Sequence, residues 1–266
     1  MSTERAEGAK PATTDLLRAA AVLLTAVGQL VVGSLGGTGA IGESVGTVAR
    51  ANDTPILPGG AAFGIWSLIY LGILALAIYQ VLPRQQVREL HRRTGWWLVA
   101  AAILNAGWVF VYSARLVYLA QVVIVALLAC LAVVLHRLSG MPARSWRDRL
   151  FFYGPVMLYA GWVSVATVVG AASTGAAAGL PGSGPGAVAA GSVVLLVTAA
   201  IAVLIVRAAR AVVPFAAAVV WALTWIALAG AGVPVTACAV VAAVVVVVAG
   251  AVRIRRDRVP VAAAFG

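Results

Sequence analysis

The side chains of this sequence that are best suited to chemistry are an amide and several aromatic rings inside apolar segments. In the segment ILNAGWVF, Asn105 precedes Trp108 by three positions, and Tyr112 follows four positions later. On a helix this spacing places the three side chains on one face. An amide in hydrocarbon needs a partner. The pattern therefore predicts either polar packing between helices or a surface that binds a ligand.

The same spacing occurs in two more apolar segments. FGIWSLIY supplies Phe63, Trp66 and Tyr70, and YAGWVSVA supplies Tyr159, Trp162 and Ala166. Each stripe has tryptophan at its centre, so three indoles can converge between helices. A flat aromatic ligand stacked on such rings gains about 0.5–1.5 kcal/mol per contact beyond area burial.

The acidic residues, histidines and cysteines are not spaced for catalysis or metal binding. The eight acidic residues fall in predicted tails or loops, and so does His91, while His136 ends an apolar segment. Cys130 and Cys238 lie in separate segments and form no C-x-x-C pair. We therefore expect a binding protein that is not an enzyme, without a metal and without a dedicated cofactor.

Composition indicates whether the helices that position these side chains lie in water or in a lipid membrane. Hydrophobic residues make up 63% of the 266 positions and charged residues 10%, whereas soluble domains are roughly one-quarter charged. A membrane-spanning helix needs about 20 apolar residues. The sequence thus predicts an all-α, polytopic membrane bundle of eight spans, at residues 17–36, 60–82, 96–114, 117–136, 151–172, 187–206, 211–229 and 232–252.

The basic residues then indicate orientation. Of the 19 Lys and Arg residues, all but Arg50 and Arg115 fall on one side of the predicted spans. By the positive-inside rule, this side is cytoplasmic and holds both termini. The net charge of +11 is therefore attributed to topology and contact with membrane lipids, and no nucleic-acid partner is expected.

Three segments resemble the TspO and translocator-protein family, also called tryptophan-rich sensory proteins. LNAGW is similar to the third-helix motif of that family, and YAGWVSVA to its fifth-helix motif. TPILPGGAAFGIWSLIYL looks like its proline-rich loop and aromatic second helix. The resemblance covers residues 17–172, the length of a five-helix bundle, so the chain looks like an extended family member with three more helices.

The resemblance implies a five-helix bundle around a hydrophobic pocket, which the loop 37–59 would cover. In that family the pocket takes porphyrins and other hydrophobic aromatic molecules, so a porphyrin is the ligand expected here. The family motifs imply the same lining residues as the stripes: Trp66, Tyr70, Asn105, Trp108, Trp162 and Ala166. A bacterial plasma membrane and a homodimer are further expectations.

The predicted domain order follows from these spans. Residues 1–16 form a polar cytoplasmic tail, 17–172 the ligand-binding bundle, 173–186 a flexible external linker, and 187–266 three additional helices with a basic cytoplasmic end. The bundle ending near Val169 is expected to fold without the last three helices.

Other interpretations of the same residues stay open at this point. Tryptophans also anchor helices at the membrane interface, as expected for Trp96, Trp97 and Trp146, and a lone Asn105 is commonly helix-packing glue. A transporter or flippase without ion coupling would use the same pocket for passage. A membrane scaffold would instead use small-residue faces such as Gly60-x-x-x-Gly64.

Overall fold

The described residues form a bundle of eight long helices with three short ones between them. The structure is a computed structural model, and it describes residues 10–208, 211–256 and 264–266. The long helices are α1 (Thr13–Thr38), α3 (Ile65–Val81), α5 (Glu89–Ser113), α6 (Val117–Ser139), α8 (Gly154–Ala177), α9 (Gly184–Ala208), α10 (Val212–Leu228) and α11 (Val233–Arg256). The short ones are α2 (Val45–Ala51), α4 (Pro83–Gln86) and α7 (Trp146–Asp148).

Two irregular turns lead directly into long helices. A 3₁₀ turn over Gly60–Gly64 precedes α3, and a π-helical turn over Arg149–Tyr153 precedes α8. Helices satisfy their backbone hydrogen bonds internally, which is what a lipid environment demands. The all-α, polytopic fold predicted from the sequence is confirmed.

The helix lengths fit membrane crossing. Seven described helical segments are long and apolar enough to cross a membrane, and α10 is a shorter apolar helix of 17 residues. At 1.5 Å per residue, α10 is about 25 Å long, which lies near the lower limit for a span. All eight predicted spans therefore correspond to helices.

Several helix bounds differ from the predicted ones. Helix α1 begins at Thr13, so Asp15 lies in a helix and not in a polar tail. Helix α5 begins at Glu89, which places His91 in its first turn, completely buried, and not in a loop. The predicted linker 173–186 is helical at both ends, and only 178–183 separates α8 from α9. The predicted tail before Lys10 and the C-terminal residues 257–263 lie outside the described residues.

Buried ion pairs explain why two helices begin earlier than the apolar pattern suggests. Asp15 is 2% exposed and bonds Arg18 at 2.7 Å and Arg92 of α5 at 2.5 Å. Asp148, fully buried, accepts two hydrogen bonds from Arg88, at 2.5 and 2.8 Å. Asp148 also raises the pKa of the Arg88 guanidinium above its usual value. Paired charges can lie within the bundle where isolated ones would be expelled.

The opposite end of the bundle is held by an exposed pair. Arg115 lies in the turn between α5 and α6 with φ of 62°, and its guanidinium bonds the Glu43 carboxylate in the loop after α1. This contact lowers the pKa of Glu43. It ties the loop between α1 and α3 to the end of α5.

Helix α10 packs on α8 of the first five spans, and α11 packs on α9 and α10. A Cβ at Gly161 of α8 would lie 2.6 Å from the Phe215 carbonyl oxygen and 3.0 Å from the Ala218 Cβ of α10. Gly161 therefore allows the α8 and α10 backbones to approach closely. Helix α11 buries one Ala/Val stripe: Val235, Ala239, Ala242 and Val246.

Candidate functional site

A cluster of aromatic rings occupies the interior of the first five spans, with Trp66 of α3 at its centre. The Trp66 ring stacks on Trp108 of α5, with centroids 6.0 Å apart. It meets Trp162 of α8 edge-on at 6.1 Å, with an interplanar angle of 85°. The three indoles that the sequence places on separate stripes therefore meet in the structure.

Further rings extend this cluster in two directions. Tyr70 stacks on Trp66 at 5.4 Å, and Tyr159 meets Trp66 edge-on at 6.1 Å. Tyr112 stacks on Trp108 at 5.0 Å. These geometries are the offset-stacked and edge-on arrangements that aromatic pairs prefer, so the cluster is well packed.

A cavity of about 50 Å³ lies beside these rings. Helices α5, α6 and α8 form most of its wall, and its lining is almost entirely apolar. The aromatic residues that line it are Phe63, Trp66, Trp108, Tyr112 and Trp162. Pockets for drug-sized ligands measure roughly 300–1,000 Å³, so a large planar ligand requires the rings and the covering segment to move apart.

The loop between α1 and α3 covers this cavity, as the sequence predicts. Within it, Ser44 caps helix α2 by accepting a hydrogen bond from the Thr47 amide at 3.2 Å. Four residues of the loop line the cavity: Val45, Ala49, Leu57 and Pro58. A helix and a proline make this cover partly rigid.

Helix α10 holds the end of that cover. The Trp221 indole donates a hydrogen bond to the Ala62 carbonyl at 3.0 Å, and the Gly59 amide donates to the Trp225 carbonyl at 3.2 Å. Ala222, which lies between these two tryptophans, lines the cavity itself. One of the additional helices therefore belongs to the site.

The six residues predicted for the site have different positions in the structure. Four of them line the cavity: Trp66, Trp108, Trp162 and Ala166. Tyr70 lies behind Trp66, and Asn105 lies one turn of α5 from Trp108 towards the buried ion pairs. Asn105 is completely buried, and neither of its amide atoms has a hydrogen-bond partner. These two residues belong to the aromatic cluster and its surroundings, and they do not contact the cavity.

Two polar groups with unused hydrogen-bonding capacity lie at the cavity. The indole nitrogen of Trp162 is buried without an acceptor. Gln121 of α6 donates to the Thr167 carbonyl at 3.2 Å, but its side-chain oxygen is buried without a donor. Buried polar groups normally have partners. A ligand with one acceptor and one donor would satisfy both.

Sequence reasoning missed several lining residues, and one of them carried a usable signal. Gln121 is an amide within an apolar helix, the same feature that identified Asn105. Ala222 carries no such signal, because its role depends on the contact between α10 and the covering loop. Among the described residues, no group of three or more His, Cys, Asp or Glu side chains could hold a metal ion.

The fold and the cavity together define a polytopic helical membrane protein with an aromatic-lined interior site. A protein-family model described as TSPO-like protein matches residues 19–252, which include nearly all of the eight spans. The chain therefore belongs to the TSPO-like protein family. The match extends through the three additional helices. Searches of curated proteins and of solved structures found no match.

Proposed function

We propose that this protein binds a hydrophobic aromatic ligand of the porphyrin type in the cavity beside Trp66, Trp108 and Trp162. The observation that carries this proposal is the meeting of three indoles from three helices at one covered cavity. Such rings offer flat apolar faces to a planar ligand. A tryptophan-rich sensory or translocator-like role follows from this binding.

The mechanism begins with displacement of the cover. The 50 Å³ cavity has to widen, and the loop residues near Pro58 are attached by few hydrogen bonds to α10. Once the ligand lies between the rings, the Trp162 N–H donates to an acceptor on it and the Gln121 oxygen accepts from a donor. These two groups orient the ligand, and the rings supply most of the affinity.

Binding is favoured over passage by the packing on the side of the cluster away from the cover. Ile69 and Ile73 of α3 and Leu127 and Leu131 of α6 are 4% exposed or less. Tyr159, which meets Trp66 edge-on, is 1% exposed. A transported molecule would have to separate this layer as well as the cover.

The test is a fluorescence titration of the purified, full-length protein with protoporphyrin. Trp162→Ala should weaken binding by about three- to tenfold, because one aromatic contact contributes about 0.5–1.5 kcal/mol. Trp96→Ala is the matched control, since Trp96 is 53% exposed on the outer surface. Equal affinity in all three proteins would refute the proposed site.

A further inference from the structure

A second concave surface lies at the basic end of the bundle, far from the aromatic cluster. It is a groove of about 500 Å³ between the end of α3, helix α4 and the segment that leads into α8. Seven residues line it: Tyr79, Leu82, Pro83, Arg84, Gln85, Arg147 and Phe151. Its size falls within the range of small-molecule sites.

Two cations face this groove without a carboxylate partner. Arg84 and Arg147 are both exposed, and no described Asp or Glu forms an ion pair with either. Asp148, which follows Arg147 in the chain, is fully buried and paired with Arg88. The groove therefore presents two uncompensated positive charges.

The floor of the groove is aromatic and fixed. The Tyr79 and Phe151 rings lie 5.7 Å apart. The Tyr79 hydroxyl donates to Asp148 at 2.9 Å, so this polar atom is directed inwards and only the ring borders the groove. The floor would contact glycerol and acyl carbons, while the two guanidinium groups contact an anion.

Exposed apolar side chains surround the groove on the lipid-facing side. Leu82 is 51% exposed, Leu150 65% and Trp146 60%. Ile78, one turn earlier on α3, is 56% exposed. Tryptophan at this level is typical of the membrane interface, and the aliphatic residues continue from the groove into the hydrocarbon region.

We propose that this groove is a binding site for an anionic phospholipid, with Arg84 and Arg147 contacting the headgroup phosphate and an acyl chain lying along Ile78 and Leu82. Basic pockets between membrane helices bind anionic headgroups by this chemistry. A soluble phosphate would satisfy the two arginines only. The exposed apolar border matches a ligand with both an anionic and an aliphatic part, and the lipid would join α3 to the start of α8.

The experiment is a lipid titration followed by native mass spectrometry of the full-length protein in an uncharged detergent. Phosphatidylglycerol is compared with phosphatidylcholine of the same acyl chains, and with inorganic phosphate. The wild type should bind phosphatidylglycerol at least about tenfold more tightly than phosphatidylcholine. Inorganic phosphate at the same concentration should not displace it.

The variant Arg84→Gln/Arg147→Gln should weaken phosphatidylglycerol binding by about 30-fold, equivalent to about 2 kcal/mol. The matched control is Arg207→Gln/Arg255→Gln, which removes the same charge from two exposed arginines on α9 and α11. This control should keep wild-type affinity. If the double groove variant aggregates, the single variants Arg84→Gln and Arg207→Gln are compared instead. Arg84→Gln should then weaken phosphatidylglycerol binding by about fivefold, and Arg207→Gln should not.

Three results would overturn this assignment. Equal losses in the groove and control variants would mean general electrostatic attraction. Equal binding of the two lipids would mean apolar adhesion, and displacement by inorganic phosphate would mean a soluble-anion site. The groove variant should retain wild-type quenching by protoporphyrin, so this inference and the proposed ligand site fail or succeed separately.

Discussion

Asn105 is a buried residue whose side-chain hydrogen-bonding groups are left unpaired by the fold. Its amide is completely buried on α5 without a hydrogen-bond partner, and an unpaired buried polar group costs about 1–3 kcal/mol. Trp108, which lines the cavity, lies one turn away on the same buried face of α5. We propose that this amide hydrogen-bonds only in a ligand-bound arrangement, in which the rings have moved apart.

Asn105→Leu tests this interpretation. The substitution removes an unpaired amide, so we expect the unfolding temperature to stay the same or rise. Affinity for protoporphyrin should fall about threefold, in line with the roughly 0.6 kcal/mol average of membrane hydrogen bonds. Thermal unfolding and fluorescence titration measure the two effects. The control is Thr198→Val on α9, which changes a buried polar residue away from the cavity, and an equal loss of affinity there would contradict the role of Asn105.

Charged residues at the two ends of the bundle should differ in their effect on stability. Asp148→Asn leaves Arg88, whose side chain is only 19% exposed, without its carboxylate, and breaking a buried pair costs up to about 3–5 kcal/mol. Glu43→Gln breaks a similar two-bond contact with Arg115, but in water, where ion pairs contribute little. Thermal unfolding in detergent should show a large decrease for Asp148→Asn and almost none for Glu43→Gln. Similar decreases would mean that burial does not determine the strength of these pairs.

At the scale of the element, the contact between α8 and α10 depends on the absence of a side chain at Gly161. Gly161→Ala places a methyl group 2.6 Å from the Phe215 carbonyl oxygen, so the helices must separate. Overpacking of this kind costs about 1–3 kcal/mol. Gly107→Ala is the control, because a Cβ there meets no atom within 4 Å and alanine favours helix by about 1 kcal/mol. Unfolding temperatures should move in opposite directions, and a matching decrease in both would contradict the close contact.

The helices themselves were largely predictable from the sequence, and their ends were not. Apolar runs identify each span, because a segment of about 20 such residues has few alternatives to a membrane helix. Asp15 and His91 lie before those runs, yet both are inside helices. Asp15 is paired with Arg18 and Arg92, and His91 packs against Tyr79 and Phe152. Apart from the Asp15–Arg18 pair, these contacts join residues far apart in the chain, so local hydropathy does not report them.

The candidate site was predictable to a similar degree. The spacing of Trp66, Trp108 and Trp162 was sufficient to predict that their rings meet, since each lies on the inward face of its own helix. Ala222 was not predictable, because an alanine carries no polar or aromatic signal within an apolar helix. The register between α10 and the covering loop decides its role, and this register depends on the Trp221 and Gly59 hydrogen bonds.

At the scale of the whole molecule, α10 connects the three additional helices to the candidate site. The sequence predicts that the first five spans fold alone, whereas the packing of α10 on α8 argues for the opposite outcome. Truncation after residue 182 removes Ala222 from the cavity and both hydrogen bonds to the covering loop. We expect the truncated protein to insert in the membrane but to lose protoporphyrin binding by more than tenfold in the fluorescence titration. Wild-type affinity in the truncated protein would show that the five spans suffice.

The orientation in the membrane gives a further prediction. Both termini should be cytoplasmic, because the basic residues concentrate at the end of the bundle that holds Arg88 and Arg92. Reporter fusions after residues 90, 142 and 262 should all report a cytoplasmic location, and a fusion after residue 180 should report the opposite side. An external location for any of the first three would contradict the topology.

The close approach of α8 and α10 at Gly161 lies within one molecule, so the structure of the cavity wall should not depend on protein concentration. Helix α10 is connected to α8 through α9 in the same chain, so its effective concentration at α8 is set by this connection. A helix of a second molecule would instead contact α8 only as often as the protein concentration in the membrane allows. Its contact with α8 is therefore independent of expression level and of the detergent-to-protein ratio. Ala222 should occupy the wall equally in a sparse membrane and in a crowded one, and ligand affinity should not vary with the amount of protein.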